Sequence, residues 1–363
     1  MNLSSHPEIV TSDIPSVLKR NLLAGNRKPP LLLAFCGVGK SHQAAKFAAD
    51  TDMHYIDYRA AYKTFNDVRG YGIPNRETGK MEFLPDEDFD FVEDRKNMLH
   101  FEEVLNAAPS VQKVLMQIML DRRVGKTHLP EGTFLMASAN KLAQKTGVER
   151  MLAALADRFA IYHIRPDYKS YMAFLQTNGK SSEVQAFLQV NGDAPYNFDI
   201  KKWDGESNLP TFRSFDRLDE LSASYADTAE MAGDRLFSAH ATSCVGPKYG
   251  PMFAQFVKLS DSIGDVEKMV DEADTCDIPR EADLKWIIAC RLITLADRHN
   301  MAAILTLAHR LSAPTETNWK LTPDPSAMQA FVVTSLEQRR PDFARTSEIL
   351  DWRQHHAEAL TSF

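Results

Sequence analysis

The chain reads as an α/β protein, a parallel sheet with helices on both faces, followed by an all-helical second half. Three observations predict this. The apolar run Leu31-Leu32-Leu33-Ala34 passes through Phe35-Cys36-Gly37-Val38-Gly39-Lys40-Ser41 into an Ala-rich helical segment, Gln43 to Ala49. Strand-like and helix-like segments then alternate to about Arg165, as crossover helices between parallel strands require. Beyond Arg165 strand-like runs nearly vanish and helical periodicity dominates, as in Trp286 to Ile293.

The elements follow in order. Ser12-Asp13-Ile14-Pro15 predicts a helix start, with Asp13 as capping acceptor, proline in the first turn and Gly25 as the stop. The strand at 31–34, the glycine loop and its helix come next, then a strand at His54-Tyr55-Ile56-Asp57-Tyr58. Gly70 to Phe83 predicts a β-hairpin with Gly79 in its loop. The acidic run Asp86 to Asp94 reads as an exposed connection. Asn97 to Phe101 is a third strand, ending in Glu102-Glu103. Ala108-Pro109-Ser110 opens a helix whose apolar residues Val111, Val114, Leu115, Ile118 and Met119 share one face. A second hairpin spans Arg122 to Gly132. Thr133 to Ala139 is a fourth strand, ending at Asn140. Another helix leads to a fifth strand at Ile161-Tyr162-His163-Ile164. Within the helical part, 191–195 and Ser243 to Pro251 read as loops. The expected division is an α/β domain at 1–165, a helical lid at 166–260 and a helical C-terminal extension at 261–363.

Composition bounds the function. The 363 residues allow two or three domains and a sizeable core. With 42 basic and 49 acidic residues the net charge is −7, which argues against a general nucleic-acid binder. The four cysteines, Cys36, Cys244, Cys276 and Cys290, have no metal-site spacing. Cys36 sits in the glycine loop, where it reads as a small packing residue. Met1 to His6 carries no apolar signal core, and no apolar run approaches the about 18 residues of a spanning helix. The expectation is a cytoplasmic protein.

The glycine loop carries the chemistry. A turn of small residues at a helix N-terminus lets backbone N–H groups close around an anion. Lys40 can reach the outer phosphates of a nucleotide, and the Ser41 hydroxyl can ligate Mg²⁺. A nucleotide hydrolase needs one carboxylate to orient Mg²⁺ and another to activate water. Glu102 and Glu103, at a strand end, supply the pair; the alternative is the solvated start of the next helix. Asn140, ending the neighbouring strand, suits a group that holds the attacking water, or a turn residue. Arg158 is the leading candidate for a cation supplied to a neighbour's γ-phosphate; taken alone it reads as a surface arginine paired with Asp157. His100 reads as a core histidine with its hydrogen bonds satisfied.

In order along the chain, these features resemble the MoxR-type branch of the AAA+ ATPases. Glu102-Glu103-Val104-Leu105-Asn106-Ala107-Ala108-Pro109 matches that family's acidic strand end and the Asn-x-Ala-Pro that opens a long helix. Residues 120–132 resemble its second hairpin, Ala137-Ser138-Ala139-Asn140 its sensor strand, and Leu155-Ala156-Asp157-Arg158-Phe159 the segment with its trans arginine. Thr211-Phe212-Arg213-Ser214-Phe215 resembles the lid motif that places a cis arginine. The resemblance runs from Leu31 to about Leu218.

It implies an ATP hydrolase acting at the subunit interfaces of a ring, most often a hexamer, with ATP and Mg²⁺ as cofactors. Phosphates would lie within Cys36, Gly37, Val38, Gly39, Lys40, Ser41 and His42, with Ser41 and Glu102 on the metal. Glu103 would be the base, Asn140 would place water, Arg213 would act in cis and Arg158 in trans. The family implies chaperone-like remodelling beside a von Willebrand factor A-type partner, with the two hairpins as contacts. Three departures stand out. Ala34 replaces the loop's first glycine, which costs about 1 kcal/mol or more if that position needs φ > 0. Glu102 stands where the family has Asp, and Ala107 where it commonly has Arg. Two rival readings are a nucleotide-gated scaffold with little hydrolysis and, disfavoured by the charge, a nucleic-acid motor or loader.

Overall fold

The computed structural model describes residues 7–141, 153–312 and 325–356. Contacts divide the chain into two compact units, Met1–Asp167 with Asp199–Trp203, and Tyr168–Phe198 with Asp204–Phe363.

The first unit is built on a six-stranded parallel sheet. Its elements are β1 (Glu8–Val10), α1 (Ile14–Leu23), β2 (Pro30–Ala34), α2 (Lys40–Asp50), β3 (His54–Arg59) and α3 (Phe65–Arg69). The hairpin β4 (Tyr71–Asn75) and β5 (Lys80–Leu84) follows, then β6 (Asn97–Glu102) and α4 (Pro109–Asp121). A short hairpin, β7 (Arg123–Val124) and β8 (Thr127–His128), precedes β9 (Phe134–Asn140), α5 (Ala153–Ala156) and β10 (Ala160–Arg165). The strand order is β1-β10-β2-β9-β6-β3. Every residue of β6 is buried, so the sheet is covered on both faces, as parallel sheets are. This is a parallel α/β architecture in which a glycine loop joins β2 to α2.

Local chemistry explains most boundaries. Gly25, at φ 77, ends the turn after α1. Asp13 does not cap α1; its carboxylate accepts the Val10 N–H at 3.0 Å instead. α4 buries the five predicted apolar positions and adds Gln112, whose amide donates to the Ala107 carbonyl at 3.1 Å. The acidic run after β5 is exposed, as expected, but anchored. Phe89 stacks on Tyr58 with ring centroids 4.3 Å apart, and Lys63 pairs with Asp86 at 2.7 Å and also with Asp88. β1 has no counterpart in the sequence reading; three half-exposed residues pairing at a sheet edge carry no period. Of the helix expected between the fourth and fifth strands, α5 is described; residues 142–152 lie outside the described residues.

Among its described residues the second unit is built of helices and their connections. It comprises α6 (Tyr168–Asn178), α7 (Ser182–Val190), α8 (Phe212–Ser222), α9 (Thr228–Gly233), α10 (Phe237–Asp261), α11 (Val266–Asp271), α12 (Ala282–Leu295), α13 (Met301–Leu311), α14 (Pro325–Arg339) and α15 (Ser347–His355). One buried apolar cluster runs through it from Tyr171 to Trp352. Phe187 lies edge-on to Phe253 at 5.4 Å and to Phe256 at 5.5 Å. Each fully buried phenylalanine contributes roughly 1.5–3 kcal/mol. Ser243 to Pro251, expected as a loop, is helical. The break is confined to Gly246 (φ 85, ψ 174), and Pro247 restarts the helix where a missing N–H costs nothing. A Cβ at Gly246 would collide with the Asn208 carbonyl oxygen, so only glycine fits there. No helix among the described residues is long and apolar enough to cross a membrane.

Candidate functional site

Three neighbouring parallel strands, β2, β9 and β6, bring their C-terminal ends to one edge of the sheet. In open parallel sheets this edge is where ligands bind. It carries the glycine loop after β2, Asn140 at the end of β9, and Glu102 and Glu103 at the end of β6.

The loop turns through two left-handed glycines, Gly37 at φ 71 and Gly39 at φ 90. Gly39 is the N-cap of α2, so successive N–H groups converge at a helix N-terminus. Ala34, by contrast, is the last residue of β2 and is paired with Asn140 in the ladder. It is not among the left-handed residues, so alanine there carries no strain. Val38 is buried at 3% exposure and anchors the loop, Cys36 is half-buried, and Ser41 and His42 are exposed. Lys40 opens α2. Its ammonium donates to the Phe35 carbonyl at 3.1 Å and to Asn140 Oδ1 at 3.2 Å. The structure thus brings Lys40 and Asn140 together across adjacent strands.

At the end of β6 the geometry is unusual. Glu102 is 9% exposed, and its Oε1 is buried with no hydrogen bond. That oxygen is 3.8 Å from His100 Nδ1. The pair is not ionic: burial pushes the His100 imidazolium down to about 3, so the ring is neutral near neutral pH. Its Nδ1 is 2.7 Å from the Tyr55 hydroxyl, while its Nε2 has no partner. The ring is therefore only half satisfied, in contrast to the sequence expectation. Burial, with the charges of Glu102 and Asp57, pushes the Tyr55 phenol well above its usual range.

Glu103 adopts φ 55, left-handed backbone that a side chain disfavours by about 1 kcal/mol or more. A tight turn holds it there. Asn106 N–H donates to the Glu103 carbonyl at 2.8 Å, Asn106 Nδ2 donates to Glu103 Oε2 at 3.3 Å, and Val104 N–H donates to the Ser138 carbonyl of β9 at 3.2 Å. Asn106 Oδ1 is buried without a partner.

The two arginines belong to other elements of the chain. Arg158 follows α5, half-buried, with Nη1 donating to the Ala154 carbonyl and Nε unpartnered. Among the described residues Asp157 pairs with Lys28 at 3.8 Å rather than with Arg158. Arg213 belongs to the helical unit, exposed in the first turn of α8 behind its N-cap Thr211. Sequence reasoning gave no role to Tyr55 or Asn106. Asn106 lies within the quoted motif, but Tyr55 becomes relevant only through strand pairing.

Among the described residues no three His, Cys, Asp or Glu side chains cluster as a self-contained metal site. A hydroxyl and one or two carboxylates, completed by a ligand's phosphates, is the way proteins hold Mg²⁺. The residues fit such a group: an N–H nest at Gly37 to Ser41, an ammonium at Lys40, and a Glu102 carboxylate oxygen without a donor.

No family model matches this chain, and no curated protein matches it in sequence. Among solved structures it is similar to a candidate ATPase from Cytophaga hutchinsonii ATCC 33406, at 13% identity over 98% of this chain and 91% of that one, TM-score 0.33. It is also similar to the RuvB Holliday junction branch migration motor of Thermotoga maritima, at 10% identity over 76% and 80%, TM-score 0.34. The functional reading rests on this chain's own residues.

Proposed function

We propose that the protein is a MoxR-like AAA+ ATPase that binds ATP with Mg²⁺ and hydrolyses it. The observation that supports this most is the convergence of the glycine loop, Asn140 and the Glu102-Glu103 pair at the ends of three adjacent parallel strands. The N–H groups from Gly37 to Ser41 bind phosphate, and Lys40 leaves Asn140 and the Phe35 carbonyl to do so. Bound Mg²⁺ would neutralise phosphate charge, held by Ser41 and Glu102. Glu103 takes the proton from the attacking water, which Asn140 orients. Arg213 serves in cis and Arg158 in trans across a homo-oligomeric ring, a hexamer by family analogy. On this reading 166–260 is the lid, 261–363 an extension, and the location cytoplasmic. The work done is remodelling of a partner protein, with a von Willebrand factor A-type protein as its companion.

The hairpins β4–β5 and β7–β8 are the proposed partner contacts. Tyr71, Ile73, Met81 and Leu84 are large exposed apolar residues, and Lys126 lies over the Phe83 ring at 6.0 Å. A second reading, a nucleotide-gated scaffold with little turnover, is favoured by the Lys40–Asn140 bond, which occupies both groups.

Phosphate release and nucleotide binding test the proposal together. Lys40→Ala abolishes binding. Glu103→Gln keeps binding and lowers turnover by roughly 10²–10⁴-fold, the range for a general base. Wild-type turnover in Glu103→Gln removes that residue from the role of base. Tight binding without turnover in the wild type selects the scaffold.

A further inference from the structure

The helical unit holds a cavity of about 450 Å³, within the range of about 300–1,000 Å³ that small ligands occupy. Its walls come from the start of α7, the end of α8, the starts of α9 and α11 and the end of α12. All of the lining belongs to the second unit, so the site is independent of the nucleotide reading. Part of the lining is already matched in charge. Arg291 pairs with Glu183 at 3.2 Å, and Lys180 lies 3.8 Å from Glu220. Asp227, Asp265 and Glu267 also line the cavity and are not matched. Asp227 Oδ1 accepts the Glu230 N–H at 2.8 Å, and Asp265 Oδ1 accepts the Glu267 N–H at 2.9 Å, each capping a helix. The other oxygen of each, and the Glu267 carboxylate, make no hydrogen bond or ion pair among the described residues.

Unmatched carboxylates beside a neutralised floor select a cation. Among the described residues no three acids stand close enough to share a metal ion, so the charges suit an organic cation whose N–H donors are spread in space. Met231 and Val266, both buried, line the same cavity and offer an apolar wall to an alkyl stem. Ser222 is a second and independent sign of a ligand. It lines the cavity at 3% exposure, and its Oγ is buried with no hydrogen bond. An unmade bond at a buried hydroxyl is costly, and a bound donor that reaches it offsets the cost. No bond holds this hydroxyl, so it is free to turn about χ1 toward an incoming N–H. We propose that the cavity binds an alkyl ammonium or guanidinium group. Its N–H groups donate to the free oxygens of Asp227 and Asp265 and to Ser222 Oγ, and its stem lies against Met231 and Val266. A free diamine and the lysine or arginine side chain of a partner segment present this same chemistry.

The test is saturation-transfer NMR of the full chain with Nα-acetyl-lysine methylamide, with diaminopentane, and with Nα-acetyl-norleucine methylamide, which keeps the alkyl stem and lacks the ammonium. The two ammonium probes bind saturably and the norleucine probe does not. Asparagine caps a helix as well as aspartate does, so Asp227→Asn and Asp265→Asn remove charge and keep the fold. Each weakens the ammonium probes about three-fold, and both together about ten-fold, the scale of a partly exposed ion pair. Ser222→Ala weakens them as well, with an unchanged circular dichroism spectrum. Tighter binding of diaminopentane marks a free diamine as the occupant, and tighter binding of the lysine probe marks a basic side chain; either supports the site. Equal binding of the norleucine probe overturns the selection for charge, and no saturable binding of either ammonium probe overturns the site itself. Ammonium binding that survives both aspartate substitutions, or that Ser222→Ala leaves at the wild-type value, places the cation elsewhere on the acidic surface and overturns the site too.

Discussion

The two units treat buried polar groups in opposite ways. In the α/β unit, His100 Nε2, Glu102 Oε1 and Asn106 Oδ1 are all buried without partners, and Glu103 stands among them in left-handed backbone. In the helical unit the buried Glu183 is fully engaged. Arg291 donates to it at 3.2 Å and also reaches Thr228 and Ser260 at 2.9 Å, while Ser181 and Ser182 donate to its other oxygen. Among the described residues of the helical unit the unpartnered atoms are scattered, at Ser222, Glu337 and Trp352. A buried polar group without a partner is costly, so a fold keeps one where a ligand will supply the partner. The helical unit uses Glu183 and its partners to hold itself together; the α/β unit gathers three of its open atoms at one strand end, with Arg123 Nε and Arg158 Nε open elsewhere among the described residues.

That contrast can be broken by mutation. The largest effect is expected in the helical unit. Arg291→Met leaves Glu183 buried without its cation and lowers stability by about 3–5 kcal/mol in denaturant unfolding. A loss below about 1 kcal/mol would mean that the network is decoration. At the strand end the same kind of change should act on turnover instead. Asn106→Ala frees the Glu103 carboxylate from its tether and shifts ATP turnover about ten-fold, or about 1.4 kcal/mol, with little change in the unfolding midpoint. A large midpoint shift without a turnover effect would make Asn106 an ordinary turn residue. The smallest effect has the opposite sign. Glu103→Gly relieves the left-handed strain and leaves stability unchanged or raised by up to about 1 kcal/mol, while turnover is lost. A clear destabilisation would show that the Glu103 side chain holds the turn.

The core of the α/β unit was legible because β2, β6 and β9 are largely apolar runs set between helical periods, a pattern that burial on two faces demands, and β3 and β10 flank them with partly exposed strands. β1 was not legible: three half-exposed residues owe their strand state to β10 alone. Ser243 to Pro251 was misread because glycine and proline usually end helices. Here Gly246 absorbs the whole break, and Pro247 occupies a first-turn position. At the site, the sequence places Glu102 and Asn140 at strand ends, since strand termini can be read from composition. The φ of Glu103, the half-satisfied ring of His100 and the Tyr55 contact could not be read. They arise from the pairing of β3 with β6 and from a turn closed by Asn106, neither of which leaves a periodic trace.

The pairing of β2 with β9 has a consequence for insertions and deletions. Leu31 to Ala34 lie opposite Ala137 to Asn140, and the Lys141 N–H closes the ladder on the Ala34 carbonyl at 3.0 Å. Strand side chains alternate faces with a period of two. One residue added to or removed from either strand would therefore turn Asn140 to the opposite face and part it from Lys40. The exposed tip of the β4–β5 hairpin carries no candidate site residue, and a side chain at Gly79 would meet nothing within 4 Å, although its φ of 64 favours glycine. Chain length between 31 and 41 and between 134 and 140 is fixed by the site, whereas a change of length at positions 76–79 leaves the strand ladder of the site intact.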